Sequence, residues 1–157
     1  MTEGMLRIGG FKEENLTPNG YDLTIGEVLI PSLDRSCSDG SVGVPANTWF
    51  LIGTVEFLDV GPKLAGDIWI RTTWARRGII PAFGKVDAGF KGNLTLSALN
   101  ASEKEVEFRV GDTFAQITFQ ELRSPPSMSY AERSGTYQGQ VGVTLSRPSG
   151  REHSGPE

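Results

Sequence analysis

Two aspartates, Asp22 in PNGYDL and Asp87 in VDAGF, each lie close to glycine. A carboxylate so placed either ties down a turn through its own backbone or stays free to move a proton. Between them, RTTWARR at residues 71–77 gathers threonine hydroxyls and arginines where a short helical turn reads as beginning, with Thr72 or Thr73 as its cap and Gly78 as its end. Backbone N–H groups at a helix start, together with guanidiniums that grip phosphate through paired hydrogen bonds, make an anion site; a capped surface turn with solvated arginines is the plainer alternative. Gln116, between Ala115 and Ile117, puts an amide inside an apolar strand pattern, so it either pairs in the core or faces a site. RSGTYQGQ at residues 133–140 combines glycine with an aromatic able to stack on a base, which suits a closing lid and equally a disordered linker.

The remaining chemistry is bounded by what the chain lacks. One histidine, His153, and one cysteine, Cys37, leave no His/Cys cluster for zinc and no internal disulfide framework. Any metal is then a hard cation held by oxygen, such as magnesium arriving with phosphates. No P-loop, nucleophile elbow or zinc motif is present. A formal charge of -4 argues against a broadly basic nucleic-acid surface, while local basic clusters still admit a small anion. No apolar run approaches the roughly 20 residues that cross a bilayer, so a soluble cytoplasmic protein is expected, with no nucleic-acid or membrane partner.

These residues need a scaffold, and the 157 residues suit one compact domain. The 20 glycines and 9 prolines are scattered among short apolar runs, which favours many short strands. Strands are predicted at 21–30, 48–60, 66–72, 79–86, 92–100, 105–110 and 113–122, with bends at Gly26 and Gly53 and a tight turn at Gly111-Asp112. In the stretch KVDAGFKGNLTLSALN, Leu94, Leu96 and Ala98 alternate with Asn93, Thr95, Ser97 and Leu99, so one face is buried and the other is relatively polar. Residues 32–43 read as an exposed loop, and the chain after Pro125-Pro126 turns glycine-rich and polar. The sum is an all-β barrel or double-sheet fold with at most one short helix.

Taken together and in order, PNGYDLTIG, IRTTWARRG, VDAGFKGNLTL, GDTFAQITF and YQGQVGVTLS resemble the dUTPase and dCTP deaminase superfamily, and most closely its archaeal-type, deaminase-like dUTPases. The resemblance spans nearly all of the chain apart from the loop at 32–43 and the last ten or so residues. It implies a distorted β-barrel, jelly-roll-like subunit over residues 1–147, with a C-terminal lid at about 130–147 and a polar, flexible tail at 148–157. It further implies a homotrimer with nucleotide sites between subunits, and magnesium bound with the triphosphate. By the same resemblance Arg71, Thr72, Thr73, Arg76 and Gln116 grip phosphates, Thr72 standing where a serine is usual. Phe90 packs under the deoxyribose and excludes a 2′-hydroxyl. Val86, Tyr130, Tyr137 and Gln140 complete the sugar and base contacts, and Asp22 acts near the metal through water. Trp74 replaces a smaller aliphatic residue, with no role implied.

Asp87 matches the aspartate that activates water for attack on the α-phosphorus. Deaminases of this superfamily carry a glutamate on the following strand, and Ser97 stands at that position. Deamination needs a group that takes a proton from water and returns protons to the base and the departing amine, a cycle that a pocketed carboxylate can run. Serine without an adjacent histidine cannot. Glu103 and Glu105 fall beyond the strand, in a solvent-facing turn. Phosphate hydrolysis needs only an in-line water, an acceptor and positive charge along the phosphates. The expected activity is therefore hydrolysis of dUTP to dUMP and pyrophosphate. The alternatives are a dCTP deaminase, perhaps bifunctional, or a catalytically silent nucleotide-binding relative.

Overall fold

The computed structural model describes residues 5–147. Along the chain the strands are β1 (Leu6–Gly9), β2 (Leu16–Thr17), β3 (Gly20–Ile30), β4 (Arg35–Cys37), β5 (Ser41–Val44), β6 (Thr48–Val60) and β7 (Leu64–Ile70). A single helical turn, α1 (Thr72–Ala75), precedes β8 (Ile79–Ala82), β9 (Lys85–Val86), β10 (Lys91–Asn100), β11 (Val106–Arg109) and β12 (Thr113–Glu121), and α2 (Tyr130–Arg133) follows.

Period two shows in the outward positions of β6 and in β10, whereas β3 buries Tyr21 through Ile25 in succession. In β6, Phe50, Ile52, Leu58 and Val60 are buried, while Trp49, Val55 and Phe57 face outward. In β10, Leu94, Leu96 and Ala98 are buried as the alternation predicts. Pairing of these inward faces curls one antiparallel sheet of order β8-β10-β6-β3-β12-β7-β9 into a half-barrel. A second sheet of β11 and β5 packs against it through an aromatic cluster. Phe108 lies 4.7 Å from Phe50 and 4.6 Å from Trp74, ring centre to ring centre, and Phe114 closes the group. Trp74 thus has a place: it is buried, stacked on Phe108, with its indole N–H donating to the Thr113 carbonyl at 2.9 Å. Burying such rings contributes about 1.5–3 kcal/mol each.

The all-β class holds, and the structure refines it at several places. A second short helix, α2, adds to the one expected, because Ser129 and Glu132 form a reciprocal capping box that starts it. The N-cap of α1 is Arg71, with no side-chain cap, so neither Thr72 nor Thr73 caps it; the helix ends at Ala75 with Arg76 as its C-cap, and Gly78, at φ +84°, lies two residues further on in the turn before β8. Residues 32–43 are not a plain loop: β4 adds to β3, and β5 pairs with β11. The strand predicted over 79–86 breaks in two at Phe83-Gly84, β8 pairing with β10 and β9 with β7. The Gly111-Asp112 turn joins strands of different sheets, with Gly111 N–H donating to Ile25 O and Ile25 N–H to Asp112 O. No helix among the described residues is long and apolar enough to cross a membrane.

Candidate functional site

The break between β8 and β9 builds the site around Asp87. After β9 the chain turns sharply: Phe90 N–H donates to Asp87 O at 3.1 Å, and Gly89 sits at φ +83°. A third turn residue in the left-handed region favours glycine, and Cβ-bearing residues there are strained. The turn uses only the backbone of Asp87. Its carboxylate is exposed and makes no hydrogen bond or ion pair to the described residues. Of the two employments open to this aspartate in the sequence, turn fixing by the side chain is excluded here.

Asp87 lines two adjoining cavities. One, about 190 Å³, is lined by Val86, Asp87, Phe90, Leu94, Tyr137 and Gln140, among others. The other, about 450 Å³, shares Lys85, Asp87 and Tyr130 with it and extends to Arg133. Phe90 is buried, and Tyr130 packs on it edge-on at 5.6 Å. The smaller cavity therefore gathers Val86, Asp87, Phe90, Tyr130, Tyr137 and Gln140, all singled out in the sequence. Asp87 is the one carboxylate in its lining.

The C-terminal segment closes over this cavity through backbone chemistry. Asn93 N–H donates to Gln140 O at 3.0 Å, and Gln140 Nε2 donates back to Asn93 O at 2.6 Å. Gln138 Nε2 donates to Gly89 O at 3.1 Å, and its Oε1 accepts from Lys91 N–H at 3.1 Å. Asn93 is itself locked, its Nδ2 donating to the carbonyls of Thr54, Val55 and Glu56 where β6 bulges against β10. The alternation in the sequence puts Asn93 on the polar face of β10, and the structure buries it there beneath Gln140. Lys85, Leu94 and Ile68 of the lining were passed over as site residues. The tail at residues 148–157 lies outside the described residues.

A separate cluster gathers the phosphate candidates. β7, β12 and β3 align Trp69, Gln116 and Asp22 in one cross-strand row. Asp22 is buried in mid-strand, not in a turn, and pairs with Arg71 at 3.0 Å. Arg71 also donates to Thr113 Oγ1, and Gln116 Nε2 donates to Thr17 Oγ1 at 2.8 Å. Thr17, Asp22, Arg71, Thr72 and Gln116 line a cavity of about 240 Å³. Thr73 and Arg76 lie exposed on the adjoining turn and do not line it. Among the described residues, no group of three or more His, Cys, Asp or Glu side chains is placed to hold a metal ion.

The two clusters do not meet in one chain. No residue lining the phosphate cavity lines either cavity at Asp87, although Ile68 of the one and Trp69 of the other are neighbours on β7. Ser97, in register between Leu51 and Ala82, is half-buried on β10 and lines none of these cavities.

The dCTP deaminase-like family profile matches residues 33–122. A Pyrococcus horikoshii protein named dCTP deaminase is 40% identical over 139 residues, covering 87% of both chains. A Sulfolobus islandicus rod-shaped virus 1 protein, named a probable deoxyuridine 5′-triphosphate nucleotidohydrolase, is 30% identical over 145 residues, covering 90% of this chain and 89% of its own. Among solved structures, EIAV dUTPase superposes with a TM-score of 0.58 at 20% identity, over 82% of this chain and 98% of its own. The Agrobacterium tumefaciens 2′-deoxycytidine 5′-triphosphate deaminase gives 0.63 at 16% identity, over 75% of this chain and 44% of its own. The structural likenesses carry the fold, and the profile and sequence matches carry the kinship: the chain belongs to the dCTP deaminase-like family.

Proposed function

We propose that this protein is an enzyme of nucleotide metabolism that hydrolyses dUTP to dUMP and pyrophosphate. The observation that carries the reading is the lining of the 190 Å³ cavity, which offers Asp87 as its one carboxylate. Asp87 accepts a proton from water as the water oxygen bonds to the α-phosphorus. The bond from that phosphorus to the bridging oxygen breaks, and pyrophosphate leaves. Phe90 and Tyr130 hold the sugar and base, and the Gln138 and Gln140 bonds keep the C-terminal segment over them. A deaminase needs a carboxylate at the pyrimidine ring, and Ser97 supplies none.

The phosphate cluster of a second copy of the chain completes the site. Two observations support this assembly: the two clusters line separate cavities with no residue in common, and an exposed apolar row, Trp49, Leu99 and Ile80, runs across β6, β10 and β8. Such a patch on a soluble domain marks an interaction surface, and a closed homotrimer is the arrangement we propose. For magnesium the donor set is thin, because Asp22 is already engaged by Arg71. That suits an ion that comes on the phosphates, keeps its waters and meets Asp22 through one of them. There it would neutralise charge developing on the phosphates.

The names of the archaeal relatives favour a second reading, dCTP deamination. Pyrophosphate release from dUTP with magnesium tests the first directly. Rapid, stoichiometric formation of dUMP supports it, and no turnover at high enzyme concentration ends it.

A further inference from the structure

Beyond Gln140 the chain makes contacts that the proposed reaction does not use. Thr95 of β10, Gly53 of β6 and Glu27 of β3 stand in register on three neighbouring strands. Leu94, Leu96, Ile52 and Val28, adjacent to them in sequence, are buried in the core, so this row lies on the outer face of the sheet. Val143 N–H donates to the Glu27 carboxylate at 3.3 Å, and Thr144 N–H donates to Thr95 Oγ1 at 3.0 Å. The two donors are consecutive and reach to opposite sides of β6, as in an extended segment running over Gly53.

Gly53 leaves the path open. A Cβ there would stand 3.0 Å from Val143 N and 3.2 Å from Gly142 C. Both are backbone atoms, so a branched side chain at this position displaces the segment. The anchored residues are joined closely to the 190 Å³ cavity. Gln140, three residues before Val143, is buried and lines it. After Thr144 the chain turns back, and Arg147 N–H donates to the hydroxyl of Tyr137, another lining residue, at 3.4 Å.

We propose that Glu27 is a positioning residue: with Gly53 and Thr95 it anchors residues 142–144 on the outer face of the sheet and so holds Gln140 and Tyr137 at the nucleotide cavity. Every partner in the anchor belongs to the same chain, so anchoring needs no nucleotide. The acceptor on β3 is a carboxylate, which binds an N–H more strongly than a neutral oxygen does. The consequence for dUTP rests on the hydrolase reading, whereas the anchor itself does not. A segment released for part of the time lowers the apparent affinity by the fraction that stays held.

Hydrogen–deuterium exchange of the full chain without nucleotide, resolved by peptide, tests the anchor. Residues 139–144 exchange roughly tenfold faster in Glu27→Ala than in wild type, for the loss of one charge-assisted bond. Gly53→Val does the same, because its branched side chain suits the strand while filling the path. Glu27→Gln keeps an acceptor oxygen and recovers part of the protection. Peptides from β10 and β12 keep wild-type exchange in all three. With dUTP, KM rises in Glu27→Ala and Gly53→Val while kcat at saturation stays near wild type. Wild-type exchange of residues 139–144 in both variants overturns the inference. Equally faster exchange in β10 and β12 overturns it too, since these residues then hold the sheet and not the segment. Faster exchange at an unchanged KM overturns the positioning role. A wild-type protein that shows the expected exchange but does not turn over dUTP supports the anchor and ends the hydrolase reading alone.

Discussion

Replacing Asp87 by Asn separates the chemistry of this residue from every structural role. The carboxylate is exposed and bonded to nothing among the described residues, and the turn it opens is held by its backbone carbonyl. Removing its charge therefore changes folding stability by no more than about 0.5 kcal/mol. The side-chain amide is nearly the same size, so the cavity keeps its shape and nucleotide affinity stays close to wild type. What goes is the proton acceptor, which contributes about 10²- to 10⁴-fold in rate. That is about 3–5 kcal/mol of barrier, at about 1.36 kcal/mol per tenfold. Continuous pyrophosphate detection under saturating dUTP measures the change in kcat, and thermal melts with and without nucleotide control for folding and binding. A variant that turns over dUTP at the wild-type rate shows that another group receives the proton, and the assignment of Asp87 fails.

Four further outcomes follow from the geometry. Co-refolding Asp87→Asn with Arg71→Ala in equal amounts restores about a quarter of wild-type activity if one site draws these residues from two copies that mix at random; two inactive parents that stay inactive contradict the shared site. Removing residues 130–157 lowers turnover far more than the melting temperature, since the segment covers the cavity of Asp87 and Phe90 but adds little to the core; a fully active truncation rejects the lid. Trp74→Ala costs about 3–5 kcal/mol of stability in chemical denaturation, through lost stacking on Phe108 and an orphaned Thr113 carbonyl. Glu56 is wholly buried, with one oxygen accepting from Thr24 N–H and the other unpaired, and burial raises its pKa above the ordinary 4.5. The folded state then binds the proton more tightly than the unfolded chain, so this group's contribution is complete below pH 4.5 and is lost as pH rises through the raised value. Denaturation midpoints across that range fall for wild type and stay flatter for Glu56→Gln.

How much of this was legible beforehand differs by element. β6 and β10 could be read because each buries one face along its whole length, and period two follows directly from that. β4 and β5 could not. They are only three and four residues long, and their partners, β3 and β11, make them strands. The break at Phe83-Gly84 escaped for a related reason: local propensity continues through it, while the two halves are claimed by opposite edges of the curled sheet. Within the site, the ordered motifs named Asp87, Phe90, Tyr130, Tyr137 and Gln140, and the fold brings them to one cavity. The same motifs named Thr73 and Arg76, which the single chain leaves outside the phosphate cluster. Asn93 carried little local signal, because its importance comes from what tertiary packing sets beside it. Trp74 read as a misfit in a binding turn, whereas it fills the gap between the two sheets.

The most direct test of the account is a paired assay of the full chain with magnesium, supplying dUTP in one vessel and dCTP in the other, with products separated by chromatography and ammonia measured alongside. The account predicts dUMP and pyrophosphate from dUTP, and from dCTP neither dUTP, dUMP nor ammonia. Ammonia released from dCTP, with Ser97 where a deaminase carries its glutamate, would contradict it.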